Sequence, residues 1–325
     1  MKSNNTFIIA EIGINHDGKI NKAKKLILEA KKNGADAVKF QHFEAGDLYL
    51  KNSKNFKILK KLELSEKTLS SLRKYAKKIK INFFCTPFSI RSAQFLNKIK
   101  IDGYKIASMD NLNKLLIKKC TSFKKKVFIS MGMMSLKEIN TLLKISKKNK
   151  KIIPLHCVSE YPVKKNNHGL EVIKYIKQKL GDKSFFGYSD HSIGLDACKI
   201  ALLLGAKVIE KHFTLKKRNY LDHIHSMDPR ELRELNEFRT LLKNQIVYKK
   251  FLESRPDKKY IKDFRRGIYL KNTVKKNQYL KTKDFYFVRP LKNKKYLDLS
   301  KIINQKTKFN LAKNSKFSIK CIRKN

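Results

Sequence analysis

Between residues 6 and 240 the sequence alternates eight times between a short apolar run and an amphipathic helical pattern. The runs 7–12, 37–41, 81–86, 103–107, 127–130, 152–156, 185–188 and 208–210 read as strands. Between them, 21–33, 66–78, 90–99, 136–144, 170–180 and 195–204 carry apolar residues at helical spacing, and a helix over 229–242 closes the series. Eight strand–helix units in about 240 residues is the arithmetic of a (β/α)8 TIM barrel, an α/β fold. A doubly wound open sheet is the rival, but no GxGxxG follows the first run.

The pattern then changes. A charged connector containing Pro256 leads into GIYL, TVKKNQYL, DFYFVRP and FSIKCI, short strands broken by polar turns. The expected division is a barrel over 1–245, a linker over 246–262 and a small β-rich domain over 263–325. About sixty residues make a marginal core alone, so docking on a barrel or a partner subunit is expected.

A net charge of +49 raises the possibility of a nucleic-acid binder. The charge is 65 lysines against 11 arginines, spread along the whole chain. Readers of nucleic acid concentrate charge in a patch and use arginine for bidentate contacts, so specific nucleic-acid binding is not expected. Small anions should still be drawn in. The five cysteines form no CxxC pair, which predicts free thiols in a reducing cytoplasm. The opening MKSNNTFIIAEIG predicts no secretory leader, and no run is long enough to predict a membrane span.

Nearly every strand ends in polar residues. Glu11, Lys39 with Gln41, Thr86, Lys105 with Ser108 and Asp110, Ser130, His156 with Ser159 and Tyr161, Ser189 with Asp190 and His191, and Glu210 with His212 would face one mouth of a barrel. Lys39 and Lys105, with the hydroxyls of Thr86, Ser108, Ser130 and Ser189, suit a small, highly charged anion such as a phosphate ester. Glu11, Asp110, Asp190 and Glu210 could serve acid–base work or complete a metal shell. After the eighth strand, Glu210 and His212 are followed about ten residues later by Asp222, His223 and His225. Paired imidazoles with open positions suit a divalent ion; the same residues also fit one buried histidine and two solvated ones.

The motifs AEIGINHDG (10–18), GADAVKFQ (34–41), FFCTPF (83–88), KIAS (105–108), HCVSEYP (156–162), GYSDHS (187–192) and EKHFTL (210–215) with DHIHSMDP (222–229) resemble the sialic acid synthase family. FRRGIYL (264–270) and FYFVRP (285–290) resemble its antifreeze-like (SAF) domain. The resemblance implies condensation of phosphoenolpyruvate with an N-acylated aminosugar. N-acetylmannosamine, giving N-acetylneuraminate, is the first expectation; the 2,4-diacetamido-2,4,6-trideoxy sugar of legionaminic acid is the alternative. It implies Mn2+ or Mg2+ held by His212 and His223. It places phosphoenolpyruvate against Lys39, Thr86, Lys105, Ser108, Ser130 and Ser189, and the sugar against Glu11, Gln41 and Tyr161. It further implies a domain-swapped homodimer in which Arg289 reaches the partner's acyl group. The catalytic candidates are Glu11, Lys105, Asp110 and Glu210.

The chain departs from that pattern in places. Met131 stands where a threonine is usual, and His42 replaces a small polar residue. Ser159 matches a position often held by asparagine, which bears on the choice of sugar. His225 adds an imidazole beside His223, either as a third ligand or as a solvated turn residue. The loop RPLKNKK lacks the usual glycine, so the Arg289 contact rests on an altered loop. Two other functions stay open on the residues alone: a metal-dependent pyruvate aldolase, which needs no phosphate lysines, and a scaffold exploiting the charge.

Overall fold

The computed structural model describes residues 6–245, 257, 260–289 and 298–323, and the chain divides into two compact units, 1–246 and 247–325. In the first unit, eight parallel strands close into a barrel in sequence order. They are β1 (Phe7–Gly13), β2 (Ala37–His42), β3 (Asn82–Pro87), β4 (Gly103–Ile106), β5 (Lys126–Ser130), β6 (Ile152–Cys157), β7 (Gly187–Asp190) and β8 (Val208–His212). All eight expected strands are present; β7 starts two residues later than the apolar run and takes in Ser189 and Asp190. The connections carry α1 (Ile20–Lys32), α2 (Ala45–Leu48), α3 (Lys54–Lys60), α4 (Glu66–Lys78), α5 (Ile90–Lys98), α6 (Lys114–Ser122), α7 (Leu136–Lys148), α8 (Val172–Leu180), α9 (Asp196–Leu203) and α10 (Pro229–Gln245). Several helices begin on a serine that accepts a backbone N–H, as Ser65 does from Thr68 and Ser89 from Ser92, which stops the preceding loop at a defined residue.

Because strand side chains alternate with a period of two, each strand feeds two cores. Ile9, Ala37, Phe84, Phe128, Ile153, Leu155 and Val208 point inward and plug the barrel. Ile8, Val38, Phe83, Tyr104, Ile129, Tyr188 and Ile209 point outward and pack under the helices with Leu26, Leu69, Leu96 and Leu142. Two residues beyond Ile9, Ala37, Phe84, Phe128, Leu155 and Val208 lie the inward positions at the C-terminal end, Glu11, Lys39, Thr86, Ser130, Cys157 and Glu210, and they stand on an apolar floor.

The opposite rim is tied by Asp36, which accepts from Ile8 N at 2.8 Å and from the Arg239 guanidinium, joining β1 to α10.

In the second unit, β9 (Gly267–Leu270) and β10 (Phe285–Val288) pair antiparallel over a core of Ile268, Leu270, Val274, Leu280, Phe285, Ile302 and Phe317. The expected strands TVKKNQYL and FSIKCI are corrected to single bridges, Val274 with Leu311, Tyr279 with Lys306 and Thr307 with Ile322. Asn277 has φ +67°, so its chain turns where a strand would continue, and Ser318 starts a 3-10 turn over Ile319–Cys321. Most of the expected linker, and the loop following Arg289 from 290 to 297, lie outside the described residues.

Candidate functional site

The C-terminal mouth of the barrel gathers four buried charges. Lys39 Nζ lies 2.9 Å from Glu11 Oε1, 3.1 Å from Thr86 Oγ1 and 3.9 Å from Glu210 Oε1. Lys105 Nζ donates to Ser130 Oγ at 2.6 Å and lies 3.7 Å from Glu210 Oε1, which also accepts from Ser189 Oγ at 3.0 Å. Gln41 Nε2 donates to Glu11 Oε1 at 3.1 Å. Seven residues expected from their places at strand ends are thereby joined: Glu11, Lys39, Gln41, Thr86, Lys105, Ser130 and Glu210, with Ser189 beside them. The second oxygens of Glu11 and Glu210 are buried without a hydrogen-bond partner, so each carboxylate holds an acceptor in reserve.

Burial sets the protonation here. It pushes the Glu11 carboxyl up, with Glu210 adding to the push and Lys39 opposing it, to about 7. Burial would raise Glu210 too, but Lys105 and Lys39 outweigh it and hold that carboxyl below the usual range. Lys105 is lowered by burial against the pull of Glu210; at Lys39 the pull of Glu11 and Glu210 outweighs burial, and its pKa is raised. One carboxylate is therefore firmly ionised while its neighbour titrates near neutrality.

On one side of this network lies a hydroxyl cradle. A Cβ on Gly132 would fall 2.4 Å from Ser159 Oγ and 2.6 Å from Ser108 Oγ, so only glycine lets these two hydroxyls approach the β5 loop. The loop is held by Asn111, whose amide donates to Ser130 O and Gly132 O. Ser159 Oγ is buried without a hydrogen-bond partner, as expected of a group awaiting a ligand.

On the other side are the histidines. Among the described residues, His212, Asp222 and His225 form the group whose ligand atoms lie within 4.8 Å of one another and could share an ion. His212 Nδ1 and both nitrogens of His225 are buried with no hydrogen-bond partner. Burial, with the neighbouring imidazoles, keeps His212 well below its ordinary value, and burial lowers His225 to about 4, so both imidazoles are neutral at pH 7. Burial raises Asp222 to about 6. Two neutral imidazoles with no hydrogen bond, His212 Nδ1 standing 3.4 Å from Asp222 Oδ2, and that carboxylate are a donor set that fits a divalent cation. At Gly13 (φ +50°), a Cβ would lie 3.1 Å from Glu11 Oε1, 3.4 Å from Asp222 Oδ2 and 3.4 Å from Gln41 Nε2, which places the triad next to the charge network.

The expected pair was His212 and His223; His223 lies outside the triad, with Nδ1 on Thr214 Oγ1 at 2.7 Å and Nε2 3.3 Å from Asp17. His225 is no solvated turn residue, being 2% exposed. Asp110 stands apart from the lysines: it is half-buried in the 3-10 turn Ser108–Asp110, where Asn113 is its side-chain partner. Asp190 turns outward, where Lys211 Nζ reaches it at 2.6 Å, and that pair is structural. Tyr161 is exposed at the rim, its ring 4.4 Å from that of His191 and 5.7 Å from that of His225. Arg289 belongs to the second unit, exposed with its guanidinium 5.4 Å from the Phe264 ring.

Sequence reading passed over Cys157, although alternation from Leu155 marks it as inward, and it left His191 without a role.

The model of the NeuB family matches residues 26–246. The chain is 38% identical to the uncharacterized protein MJ1065 of Methanocaldococcus jannaschii over 94% of its length and 91% of that protein. It is also 38% identical to the N,N'-diacetyllegionaminic acid synthase of Campylobacter jejuni, over 84% of the chain and 87% of the relative. Among solved structures, the N-acetylneuraminic acid (sialic acid) synthetase of Leptospira borgpetersenii, in complex with citrate, superposes with a TM-score of 0.71 at 33% identity. That match covers 78% of this chain and 92% of the other.

Proposed function

The chain belongs to the NeuB family of nonulosonic acid synthases, and from that premise we propose that it condenses phosphoenolpyruvate with an open-chain N-acylated aminosugar, releasing phosphate. The observation that carries this reading is the buried pairing of Lys39 and Lys105 with Glu210 beside a separate histidine–carboxylate triad. An anion site and an electrophile site then share one opening.

Lys39 and Lys105, with Thr86, Ser130, Ser108 and Ser189, hold the phosphate and carboxylate of phosphoenolpyruvate, and the lysines stabilise the charge that gathers on the departing phosphate. His212, His225 and Asp222 would hold a divalent ion, which when bound supplies Lewis-acid polarisation of the sugar aldehyde. The methylene carbon of phosphoenolpyruvate attacks that aldehyde carbon, and cationic character develops at C2. Glu11, titrating near 7, takes a proton from the water that adds there, and phosphate leaves as the C2 ketone forms. Gln41 and Tyr161 line the sugar side, Gln41 by fixing Glu11. Beside N-acetylmannosamine, the substrate expected first from sequence, we propose the 2,4-diacetamido-2,4,6-trideoxy sugar as the first substrate to test. The support is the 38% identity to the legionaminic acid synthase, against 33% to the sialic acid synthetase.

Met109, Met133, Tyr161 and Ile193 are exposed on the connections after β4, β5, β6 and β7. An apolar rim on four successive loops suits a cover supplied by a second copy of the chain, and the homodimer belongs to this proposal, as does the Arg289 contact. No helix among the described residues is long and apolar enough to cross a membrane; a cytoplasmic site of action is likewise proposed.

Phosphate release from phosphoenolpyruvate with each aminosugar, with and without chelator, tests the reaction. Sugar-dependent, chelator-sensitive release is expected; release without sugar, or pyruvate formed from the ulosonic acid in its place, overturns it. Calorimetric titration of Mn2+ tests the ligands: His225→Ala should weaken binding roughly tenfold or more while His223→Ala stays within a few-fold, and the reverse order would restore His223.

A further inference from the structure

Among the described residues at the mouth stands a thiol, a softer donor than the oxygens and imidazoles around it. Cys157, the inward residue at the end of β6, is buried, with Sγ 3.8 Å from His191 Nδ1 and 3.5 Å from Ser108 Oγ. The reaction proposed above uses neither the thiol nor the His191 ring. Zinc–sulfur and zinc–nitrogen bonds of about 2.3 and 2.05 Å at a tetrahedral angle put the two donor atoms roughly 3.6 Å apart. The observed separation is within a few tenths of an ångström of that bite. His191 is not isolated: its ring lies 5.4 Å from that of His212 and 5.8 Å from that of His225, whose nitrogens are buried and unpartnered.

We propose that Cys157 and His191 form a second cation site, selective for thiophilic ions of the zinc and cadmium type, and that filling it stops turnover. Softness separates the two sites: thiolate with imidazole prefers Zn2+ and Cd2+, whereas His212, Asp222 and His225 present only nitrogen and oxygen and accept harder ions. With the ring proton on Nε2, His191 Nδ1 turns a lone pair toward Cys157 Sγ. Burial keeps the thiol protonated, so binding breaks S–H, forms metal–sulfur and releases one proton to solvent for each ion taken up. An ion there draws Cys157 Sγ away from Ser108 and adds positive charge near Lys105, which disturbs the hydroxyl cradle at Gly132. The block on turnover rests on the proposed function; the ion site does not.

The chelator-treated chain is titrated with Cd2+ while thiolate-to-metal absorption in the near ultraviolet and proton release are followed. One thiolate-bound ion and one proton lost from the thiol per chain are expected, besides any ion taken by the triad, with the absorption lost in Cys157→Ser, kept in His225→Ala, and the affinity of the absorbing site lowered about tenfold or more in His191→Ala. Absorption that survives Cys157→Ser would assign the sulfur to one of Cys85, Cys120, Cys198 or Cys321 and overturn the site. An unchanged affinity in His191→Ala would reduce it to a bare thiol adduct and overturn it equally. Cadmium-113 resonance of the unsubstituted chain gives a reading that needs no variant: a resonance in the mixed sulfur–nitrogen range is expected besides any nitrogen–oxygen resonance from the triad, and its absence refutes the proposal. In the phosphate-release assay with Mn2+, added Cd2+ should inhibit without being relieved by more Mn2+. Relief by Mn2+ would locate the inhibition at the triad and refute the second site's role.

Discussion

Glu210→Gln isolates the electrostatic design of the mouth, because it removes one charge and almost no volume. Glu210 Oε1 stands 3.7 Å from Lys105 Nζ and 3.9 Å from Lys39 Nζ. At an effective dielectric constant near 20, each attraction amounts to about 4 kcal/mol before desolvation is counted. The substitution leaves two buried ammonium groups sharing the single carboxylate of Glu11. Removing one partner of a buried pair costs roughly 3–5 kcal/mol, which for a unit of this size lowers the melting temperature by roughly 6–20 °C. Lys105 can limit the loss by releasing its proton, since burial already lowers its pKa. An anion reverses the sign of the argument. In the native chain Glu210 competes with phosphate for the lysines; in the variant phosphate supplies the missing charge. Thermal denaturation with and without saturating inorganic phosphate should therefore show a lower melting temperature in the variant and a larger phosphate-induced rise. A variant as stable as the native chain, or one that phosphate stabilises no more than native, would refute the assignment of Glu210 as the resident counter-charge.

Three further outcomes follow from the same geometry. Gly132→Ala pushes a methyl group against Ser159 and Ser108, and the loss of about one neutral hydrogen bond should raise KM for phosphoenolpyruvate roughly three- to tenfold with kcat less affected; an unchanged KM removes the cradle from substrate binding. His16 is buried in the connection after β1, and burial lowers it from 6.5 to about 4, so the unfolded chain binds a proton below 6.5 that the folded chain refuses until about 4. Stability thus rises with pH across that window, and His16→Asn should reduce the loss between pH 7 and 5, read by urea unfolding, by on the order of 2 kcal/mol. At the opposite rim, Asp36→Asn should lower stability by about 1–3 kcal/mol while kcat and KM stay unchanged, since its partners are Ile8 at the start of β1 and Arg239 on α10, away from the C-terminal ends of the strands.

The barrel was legible in the sequence because its signal is repeated: eight apolar runs separated by helical patterns leave few topologies open, and right-handed parallel crossovers decide among them. The second unit was read less well. TVKKNQYL has strand composition, yet the Lys275–Gln278 turn and the positive φ of Asn277 break it, and a local turn competes easily with a strand in a unit with so small a core.

Within the site, the decisive rule is the period of two, and it divides every polar motif. In Glu210–Lys211–His212 the outer two face the mouth while Lys211 points back to Asp190. In Ser189–Asp190 the serine reaches Glu210, and the aspartate is spent on Lys211 and Ser192 N. In His156–Cys157 the histidine leaves the barrel to stack on Tyr188 and bond His168 O, and the thiol is the inward residue. Applied strictly, alternation would have removed Asp190 and His156 from the candidates and brought in Cys157. It has no force beyond the strand ends. Asp222, His223 and His225 lie in a 3-10 turn and its exit, where neighbouring side chains fan out by roughly 120° per residue. There the difference between His223 and His225 lies in which ring finds partners behind it. Thr214 and Asp17 claim His223, nothing claims His225, and that vacancy in hydrogen bonding is a property of the folded chain alone.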